Sequence, residues 1–526
     1  MKKLLIILLI SLLPSLVFGA TIYVDNSGCG DCADYRVVQR DCGSGTEQNY
    51  DTIQEAVDAL SAAGDIINVR PGTYNETVTG TSKQVGASWE SPITIQGYTG
   101  DAMPVINGGA SYAFIAETLD DYYWIFDGLK FTRADISSTN YTLFTANTSY
   151  FRIQNSTIDG CWRGYNAGSV IADNITFDGG GTAVQPIAWQ MIDIGGHLVQ
   201  DCNITNYTGR GIWIADAGDG NKILRNKIYD STSHAATGSA GIDIDNYGKA
   251  NQSDSNIVED NFISNWGNNG IQFENCTNSI MRGNWSYQND YGFCVIDYDA
   301  YRGNNTNNIL HSNISVESLD GGIRIIEAYG TKIYNNTIYN NTTSHGCITL
   351  KGTTYPCNNT DIRNNTMYQP AASDACLWFP EGTPTGITCD YNIYYNASQT
   401  DVIYDEDSAA WYTLAEWVAA TAYDDNSIQD NPDFTTVGSD FTLTSVSPAI
   451  GAGADLGNGL YYGLDPTSTW TGNVKPVNQD DYGDWEIGAF VYIIAGPTGG
   501  PGTIVGGGSG SIAGGGSGTI VGTTPE

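Results

Sequence analysis

Basic residues are scarce in this chain, which has 22 Lys and Arg against 58 Asp and Glu and a formal net charge of −36. A surface of that sign repels the phosphate backbone, so we exclude nucleic acid as a partner. It also repels a polyanionic sugar, unless the site is locally basic or holds a cation. Carboxylate oxygens are ligands that Ca²⁺ prefers, and the acidic excess therefore makes calcium the candidate cofactor.

Long hydrophobic runs are absent beyond the N-terminus. There, residues 1–3 read Met-Lys-Lys, an apolar run continues to Leu13, and Pro14 ends it. A basic start, a short apolar run and a small-residue exit are typical of a secretory signal peptide, cleaved near Gly19. An uncleaved anchor is the alternative, although the run is shorter than the ~20 residues of a spanning helix. We expect a signal peptide over 1–19 and a mature protein that is secreted or on the cell surface, without a membrane span.

Leucine periodicity is also missing, which argues against a heptad coiled coil and a leucine-rich horseshoe. Glycine (63 residues) and tyrosine (33 residues) are abundant instead, and charged residues make up only 15%. The mature chain exceeds an ordinary globular core, which stops growing near ~250–300 residues. Several domains or one extended repeat structure would satisfy that length, and the composition favours the repeat.

One repeated frame has an aliphatic residue, a few mostly polar residues and then Asn. Its members are Asn155, Asn174, Asn203, Asn226, Asn261, Asn284, Asn313, Asn336, Asn365 and Asn392. The shortest recurring step is 23 residues, which we interpret as a bare coil, and longer steps carry an inserted loop. Asn tolerates a left-handed turn. One Asn per coil therefore predicts an inward ladder of side-chain hydrogen bonds.

A second frame places a glycine before alternating apolar residues, as in Gly211-Ile-Trp-Ile214, Gly241-Ile-Asp-Ile244 and Gly270-Ile-Gln-Phe273. Alternation with period two predicts strands. A single coil of this kind cannot bury its apolar face, so neighbouring coils must stack. The fold class predicted is all-β, a parallel β-helix solenoid.

Both ends of the repeat carry capping signals. Apolar residues at 53, 56, 57 and 60 form a helical stripe, and Thr52 with Glu55 is a capping box. A Gly/Ser tract follows Tyr492, and its composition predicts a flexible tail. The predicted divisions are 1–19 for the signal peptide, 20–110 for the N-terminal cap and first coils, 111–400 for the β-helix, 401–492 for the closing segment and 493–526 for the tail.

Eleven cysteines in an exported chain predict disulfides. The pairs considered are a local one among Cys29, Cys32 and Cys42, then Cys347 with Cys357, and Cys376 with Cys389. The odd number leaves at least one thiol outside any intramolecular pair. Cys202, Cys276 and Cys294 lie within repeats and are expected to stack as small apolar residues.

The region from Thr21 to Ile106 resembles the N-terminal cap of secreted right-handed β-helix proteins of the family-nine pectate lyase type. Tyr23-Val24-Asp25, the capping helix and the stretch 69–74 carry the likeness, and the closing stretch 483–490 agrees with it. The resemblance covers roughly residues 21–492. It implies a right-handed β-helix and a polysaccharide substrate. The Lys base and Asp-bound Ca²⁺ of that family do not map onto this chain residue by residue.

Aligning the second frame on its glycines brings polar residues to one outer face. Position +2 is occupied by Trp213, Asp243, Gln272, Cys294 and Arg324. Positions +4 and +5 supply Asp216, Asp245, Glu274, Asp297 and Glu327. Because consecutive coils stack ~4.8 Å apart, these side chains are expected to form one patch, near coils 211–351.

We assign expected roles within this patch. The catalytic candidates are Asp243, Asp245, Asp297, Arg324 and Lys351. The substrate-binding candidates are Trp213, Gln272, Tyr298 and His345, with Trp266 and Trp285 as further aromatic residues near the face. The metal candidates are Asp243, Asp245 and Glu274. An acidic pair suits hydrolysis, whereas Ca²⁺ beside a Lys or Arg base suits β-elimination from a uronic acid.

Two functions follow from these assignments. The first is an exported carbohydrate-active enzyme, a polysaccharide lyase or glycoside hydrolase. The second is a non-catalytic adhesin or polysaccharide-binding structural protein, whose acidic row is only a solvated surface. The enzyme needs its carboxylates within ~5–10 Å of each other in a groove. The sequence does not define the oligomeric state.

Overall fold

The computed structural model describes residues 19–134, 141–180, 187–216, 218–229, 240–246, 253–297, 305–339, 345–352, 356–370, 374–379, 384–457, 459–469 and 474–493. Over these residues the chain forms a parallel β-helix, as predicted, in which each coil contributes to three sheets. The signal peptide and the Gly/Ser tail fall almost entirely outside this part of the chain. The domain boundaries stay a prediction.

The first sheet carries the predicted patch. Its strands are Val78–Thr79, Trp162–Tyr165, Ile187–Ile192, Arg210–Ala215, Ile242–Asp245, Asn269–Glu274, Tyr291–Ile296, Gly321–Ile326, Ile348–Lys351, Leu377–Phe379 and Ile403–Asp405, followed by antiparallel Ala410–Tyr412. Each parallel strand pairs in register with the next coil, so residues one coil apart lie side by side.

The second sheet contains Thr21–Val24, Glu47–Tyr50, Ile66–Val69, Ile93–Gly97, Leu198–Gln200, Lys222–Leu224, Ile257–Glu259, Ile280–Arg282, Ile309–His311, Lys332–Tyr334, Asp361–Arg363 and Thr388–Asp390. The third contains Thr73–Asn75, Val105–Asn107, Lys130–Thr132, Asn203–Thr205, Lys227–Tyr229, Phe262–Ser264, Trp285–Tyr287, Ile314–Val316, Thr337–Tyr339, Thr366–Gln369 and Ile393–Asn396. Phe114–Asp127, Leu143–Asp159 and Ile171–Asp178 bend from one sheet into the next.

Stacked apolar residues fill the solenoid interior. In the first sheet, Ile212, Ile242, Ile271, Phe293 and Ile323 occupy the same position in five consecutive coils and are fully buried. They are the +1 residues of the glycine frame, as the alternation predicts. Each completed stack removes apolar surface from water, which stabilises the fold by roughly 25 cal/mol per Å².

The asparagine ladder is buried and continuous over part of the predicted run. Asn284 donates from its side chain to Asn313 Oδ1 at 3.0 Å, and Asn313 donates to Asn336 Oδ1 at 3.0 Å. Each side chain also donates to a carbonyl in the preceding coil, as Asn313 does to Met281. The members that fit this pattern are Asn226, Asn261, Asn284, Asn313, Asn336, Asn365 and Asn392.

Three predicted ladder members are wrong. Asn155 and Asn174 are exposed and adopt the left-handed turn conformation themselves, one residue before the ladder position. Asn203 is also exposed, because it comes one residue after that position and opens a strand. The ladder position of its coil holds Cys202, whose backbone N–H donates to Asn226 Oδ1 at 3.0 Å. An identical residue type, one place out of register, faces solvent instead of the interior.

A second polar ladder runs beside the first sheet and was not predicted. Asn221 donates to Asn256 Oδ1 at 2.8 Å, and Asn256 donates to Ser279 Oγ at 3.2 Å. The backbone N–H of Ser279 then donates to Asn308 Oδ1 at 3.0 Å. These buried amides satisfy turn backbone groups that water cannot reach.

Short helices and hairpins lie at the two ends. Helix α1, Ile53–Asp58, has the predicted Thr52–Glu55 capping box, and helix α2, Leu414–Thr421, has an equivalent one. The antiparallel pairs Phe434–Thr436 with Asp440–Leu443, and Tyr462–Leu464 with Pro476–Asn478, belong to the closing segment. The remaining strands are Cys32–Arg36, Asp41–Cys42, Ser253–Asp254 and Cys276–Thr277, and Gln479–Asp481 is a 3₁₀ turn. None of the described helices is long and apolar enough to span a membrane.

One of the suggested disulfides forms, between Cys32 and Cys42. The pairs Cys347–Cys357 and Cys376–Cys389 do not form, so those two predictions were wrong. All four of these cysteines are buried and take part in the interior apolar cluster. They serve as small interior residues, as expected for Cys202 and Cys276.

Candidate functional site

The register of the first sheet brings the predicted +2 residues together. Trp213 pairs with Asp243, Asp243 with Gln272, Gln272 with Cys294, and Cys294 with Arg324. The second row is shorter than expected. Asp245 pairs with Glu274, but the next two coils place Ile296 and Ile326 at that position, and Lys351 follows.

The other acidic candidates occupy turns after the strands. Asp216 and Glu327 adopt left-handed backbone conformations, and Asp297 directly follows the strand Tyr291–Ile296. Asp297 and Glu327 are buried. The prediction of one acidic row was therefore wrong for these three, because a turn residue leaves the strand's pleat.

Burial distinguishes this site from a solvated surface. Asp243 is 1% exposed and Asp245 is 3% exposed, and Gln272 and Glu274 are also buried. Cys294 is buried in a small apolar cluster on the same outer face. The alternative that the acidic residues are only wet surface is inconsistent with this burial, because buried carboxylates require partners.

Arg210 is the partner that the sequence alone did not reveal. Its Nε lies 2.6 Å from Asp243 Oδ2, and one of its terminal nitrogens lies 3.9 Å from Asp245 Oδ2. The guanidinium carbon lies 4.0 Å from the ring centroid of Trp213, whose Nε1 donates to Asp245 Oδ2 at 2.7 Å. Arg210 directly precedes Gly211, so the glycine alignment would have found it at position −1.

Two effects oppose each other at Asp243. Burial raises the pKa of its carboxyl, and the charge and hydrogen bond of Arg210 lower it, with burial the larger effect. Asp243 Oδ1 has no hydrogen-bond partner within the described part of the chain. An orphaned, buried carboxyl oxygen is costly, and such groups are found where a protein binds a ligand or performs chemistry.

The coil that follows Asp243 and Asp245 carries two amide side chains, those of Asn269 and Gln272. Asn269 donates to Gln272, and Gln272 Nε2 donates to one carboxylate oxygen of Glu274 at 3.1 Å. Asn269 Oδ1 has no partner among the described residues. This coil presents hydrogen-bonding groups of both kinds, which suits sugar hydroxyls.

Further along the sheet the face becomes cationic and aromatic. The guanidinium carbon of Arg324 lies 4.5 Å from the centroid of Tyr291, and the Tyr291 hydroxyl lies 3.2 Å from His345 Nδ1. Burial lowers the pKa of His345, and the charges of Arg324 and Lys351 lower it further. His345 is therefore a neutral imidazole at neutral pH.

An aromatic row continues from this point to the end of the sheet. His345 packs 5.9 Å from Trp378, Trp378 packs 4.4 Å from Tyr404, and Tyr404 packs 5.1 Å from Trp411, measured between ring centroids. All four side chains are partly or fully exposed, and Trp411 reaches 36%. We call Trp378, Tyr404 and Trp411 the aromatic row. Extending the +2 position through Thr349 leads to Trp378 and Tyr404, so the row was recoverable from the alignment.

Two aromatic candidates lie elsewhere. Trp266 is buried, and its Nε1 donates to the carbonyl of Gly209 at 2.6 Å, so it supports the chain behind the face. Trp285 belongs to the third sheet. Both were wrongly placed near the face, because Trp266 lies in a connection between strands and Trp285 lies on a strand of a different sheet. Tyr298 lies outside the described residues.

The calcium prediction can be compared with the geometry. The carboxylates of Asp243, Asp245 and Glu274 do not converge as a metal cluster, and Arg210 already supplies the positive charge between the first two. Within the described residues, the one converging group is Cys29, Cys32 and Cys42, two of which form the disulfide. The carboxylates of Asp243, Asp245 and Glu274 therefore fit Ca²⁺ poorly as a ligand set, and no chemical step proposed below depends on calcium.

Comparison with known proteins agrees on the fold. A sequence model of the right-handed beta helix region matches residues 185–318, which include most of the site. No curated protein sequence matches the chain.

Three solved structures illustrate the likeness. Pectate lyase Pel9A has 15% identity and a TM-score of 0.40, covering 91% of this chain and 97% of its own. The catalytic unit of a GH87 alpha-1,3-glucanase from Streptomyces thermodiastaticus has 13% identity and a TM-score of 0.46, covering 81% and 71%. PfbA, a surface adhesin of Streptococcus pneumoniae, has 13% identity and a TM-score of 0.44, covering 75% and 94%. The assignment of the chain as a right-handed parallel β-helix rests on its strand topology and on the matched sequence model.

Proposed function

We propose that this protein is an exported carbohydrate-active protein that binds a polysaccharide along the outer face of its first sheet. The observation that carries the proposal is the line of side chains from Trp213 through Arg324 and His345 to Trp411. Aromatic faces pack against the C–H faces of sugar rings, and neighbouring polar groups orient the hydroxyls. The face extends over many coils, which suits a chain of sugar units.

The acidic pair is the proposed reactive centre, and glycoside hydrolysis is the reaction it suits. Asp243 has a carboxyl whose pKa burial raises, so it can hold a proton for the glycosidic oxygen. Asp245 accepts the Nε1–H of Trp213 at 2.7 Å and lies 3.9 Å from a terminal nitrogen of Arg210, so its environment differs from that of Asp243. Two carboxyl groups with different environments can divide the acid and base roles.

A polysaccharide lyase is the second form of enzyme. Its base would be Arg324 or Lys351, which lie on neighbouring strands of the same face. The geometry favours it less, since the carboxylates that would hold the calcium do not converge.

A non-catalytic role in polysaccharide binding is the alternative function. Asp243 is 1% exposed, so a substrate must displace what covers it before any proton transfer can occur. The aromatic row needs no such rearrangement. An adhesin would use that row and leave the acidic pair as a structural feature.

The test measures turnover and binding on the same panel. Pectate, alginate, xylan, mannan and α- and β-glucans are incubated with the protein, with and without Ca²⁺. Reducing ends report hydrolysis, ultraviolet absorbance reports unsaturated products, and affinity electrophoresis reports binding. The variants are Asp243→Asn and, as a matched control on an exposed turn of the closing segment, Asp425→Asn.

Each outcome supports one function. Turnover that Asp243→Asn abolishes and Asp425→Asn retains supports the enzyme. Binding without turnover supports the adhesin. Neither binding nor turnover on any member of the panel would sink the proposal.

A further inference from the structure

A cavity of about 560 Å³ lies on a different face of the solenoid, against the third sheet. Its floor includes Tyr229, Phe262 and Trp285, and the closing segment contributes Thr469 and Val474 to its wall. That volume is within the range of roughly 300–1,000 Å³ typical of small-molecule sites. None of the residues assigned to the first-sheet site lines it.

The cavity exists because the closing segment covers only part of the third sheet. The first outward position of successive coils holds Asn203, Lys227, Phe262, Trp285 and Ile314. From Phe262 onward these residues belong to an apolar cluster with the closing segment. Asn203 and Lys227 are polar, so the closing segment stops covering the third sheet where the outward residues change from apolar to polar. Phe262 and Trp285 at that edge are 8% and 5% exposed, and Tyr229 is the partly exposed ring of the floor.

One wall of the cavity is a column of turn residues. Asp201, Arg225 and Asp260 occupy the same left-handed turn position in three consecutive coils, with φ of 55°, 56° and 59°. The backbone N–H of Asp201 donates to Leu224, one residue before Arg225, and that of Arg225 donates to Glu259, one residue before Asp260. Side chains on such a column project side by side, ~4.8 Å apart.

Within this column, Arg225 lies between two carboxyl groups that have different hydrogen-bond partners. Arg225 holds Asp201 through two hydrogen bonds of 2.8 and 2.7 Å. Asp260 instead accepts the hydroxyl of Tyr462 from the closing segment. Burial raises the pKa of Asp260 to about 7, so near neutral pH its carboxyl can donate as well as accept a hydrogen bond.

We propose that this cavity is a second carbohydrate site, which binds a neutral sugar residue between the aromatic floor and Asp260. The partly exposed ring of Tyr229 supplies apolar surface for the C–H face of a pyranose. Asp260, Asp201 and Asn203 supply donors and acceptors for its hydroxyls. The site is separate from the first-sheet face, so the protein can hold a glycan at two places.

Charge favours a neutral sugar over an acidic one. The guanidinium of Arg225 is held by Asp201, and that of Arg282, behind Asp260, is held by Glu259 at 2.6 Å. An anionic sugar would have to compete with these carboxylates for the same cations. A neutral ring places no new charge beside them.

The experiment is done in a Trp378→Ala background of the full chain, which weakens the first-sheet row. Neutral oligosaccharides of glucose, mannose, xylose and galactose are titrated by calorimetry, with oligogalacturonate and oligomannuronate as acidic probes. The added variants are Tyr229→Ala, which removes a partly exposed ring of the floor, and Asp260→Asn. Asp173→Asn, on a different face, is the matched carboxylate control.

We expect at least one neutral oligosaccharide to bind, with Tyr229→Ala weakening it at least tenfold and Asp173→Asn leaving it unchanged. Failure of every neutral probe, preference for the acidic probes, or binding that survives both Tyr229→Ala and Asp260→Asn would overturn the proposal. Tyr229→Ala decides the question if Asp260→Asn does not fold. Binding lost only through Trp378→Ala would leave the first-sheet proposal standing and this one refuted.

Discussion

Arg210 Nε lies 2.6 Å from Oδ2 of Asp243, one coil away, and the two form an ion pair in which the carboxylate is 1% exposed. Side-chain exposure of Arg210 is 25%, so solvent reaches the pair from the arginine side. The guanidinium is held in place by its stacking on Trp213. The whole arrangement depends on the register between two strands, since a one-residue slip of either strand would turn its side chain inward.

Removal of Arg210 tests how much this ion pair contributes to the free energy of unfolding. In Arg210→Gln a buried carboxylate loses its cation, and breaking such a pair typically costs about 3–5 kcal/mol. Because Asp243 can respond by binding a proton, the loss should be larger at pH 8 than at pH 5. Urea unfolding at both pH values measures it.

The matched control is Arg36→Gln. Arg36 pairs with Asp41 at the surface, where the two side chains are 38% and 44% exposed, so solvent screens the pair and the expected change in stability is small. Equal effects of the two substitutions would mean that Asp243 is not held by Arg210.

The buried asparagine ladder gives a second prediction. In Asn313→Ala, the side-chain and backbone N–H groups of Asn284 and the carbonyl of Met281 all lose their hydrogen-bond partner. Each unsatisfied buried group costs about 1–3 kcal/mol. We expect a loss of several kcal/mol in the free energy of unfolding, measured by chemical denaturation.

Asn174 offers the same residue type in an exposed position. Its side chain donates to Asn155 at 2.8 Å on the solvent side of the turn. Asn174→Ala should therefore cost no more than about 1 kcal/mol. A comparable loss in both variants would refute the distinction between the two positions.

This contrast also shows what sequence can and cannot define. The recurring step of 23 residues and the alternation of Ile212 and Ile214 with outward residues sufficed to predict the solenoid and the face that carries the site. They could not place Asn155, Asn174 or Asn203, because one residue of offset reverses the direction of a side chain. Arg210 and the aromatic row were missed because the alignment was not extended in either direction. Burial at Asp243 depends on what covers the outer face, which strand periodicity does not encode.

The pH dependence of Asp260 gives a third prediction. Its pKa is about 7 in the folded chain, against a model-compound value of 3.8, so the folded state binds this proton more tightly than the unfolded state does. The resulting stabilisation is complete below about pH 4 and is lost as the pH rises through 7, with an upper limit of about 4 kcal/mol. Asp260→Asn should therefore gain stability relative to wild type between pH 4 and pH 8, in unfolding measured at both.

Tyr462→Phe separates burial from the hydrogen bond at this carboxyl. The Tyr462 hydroxyl lowers the pKa of Asp260, so its removal should raise that pKa further and extend the loss of stability to higher pH. A pH profile identical in wild type and Asp260→Asn would show that Asp260 has an ordinary pKa.

The aromatic row gives the last prediction. The ring of Trp378 packs at a tilt against Tyr404, with 4.4 Å between the ring centroids, and donates to Glu406 at 3.4 Å, so it is held in one orientation at the surface. If a polysaccharide packs on this ring, Trp378→Ala should weaken binding by about 1–3 kcal/mol, or roughly 5–150-fold in Kd. The measurement is affinity electrophoresis or calorimetry with the polysaccharide found to bind.

Trp411→Phe is the informative companion, since it retains an aromatic face at the end of the row and should bind within a few-fold of wild type. Tyr482→Ala removes an aromatic side chain that is 43% exposed in the closing segment, outside the row, and it controls for the loss of any surface ring. A chain of sugars that follows the first sheet contacts Trp378 and not Tyr482. Equal weakening by Trp378→Ala and Tyr482→Ala would show that binding does not follow this sheet.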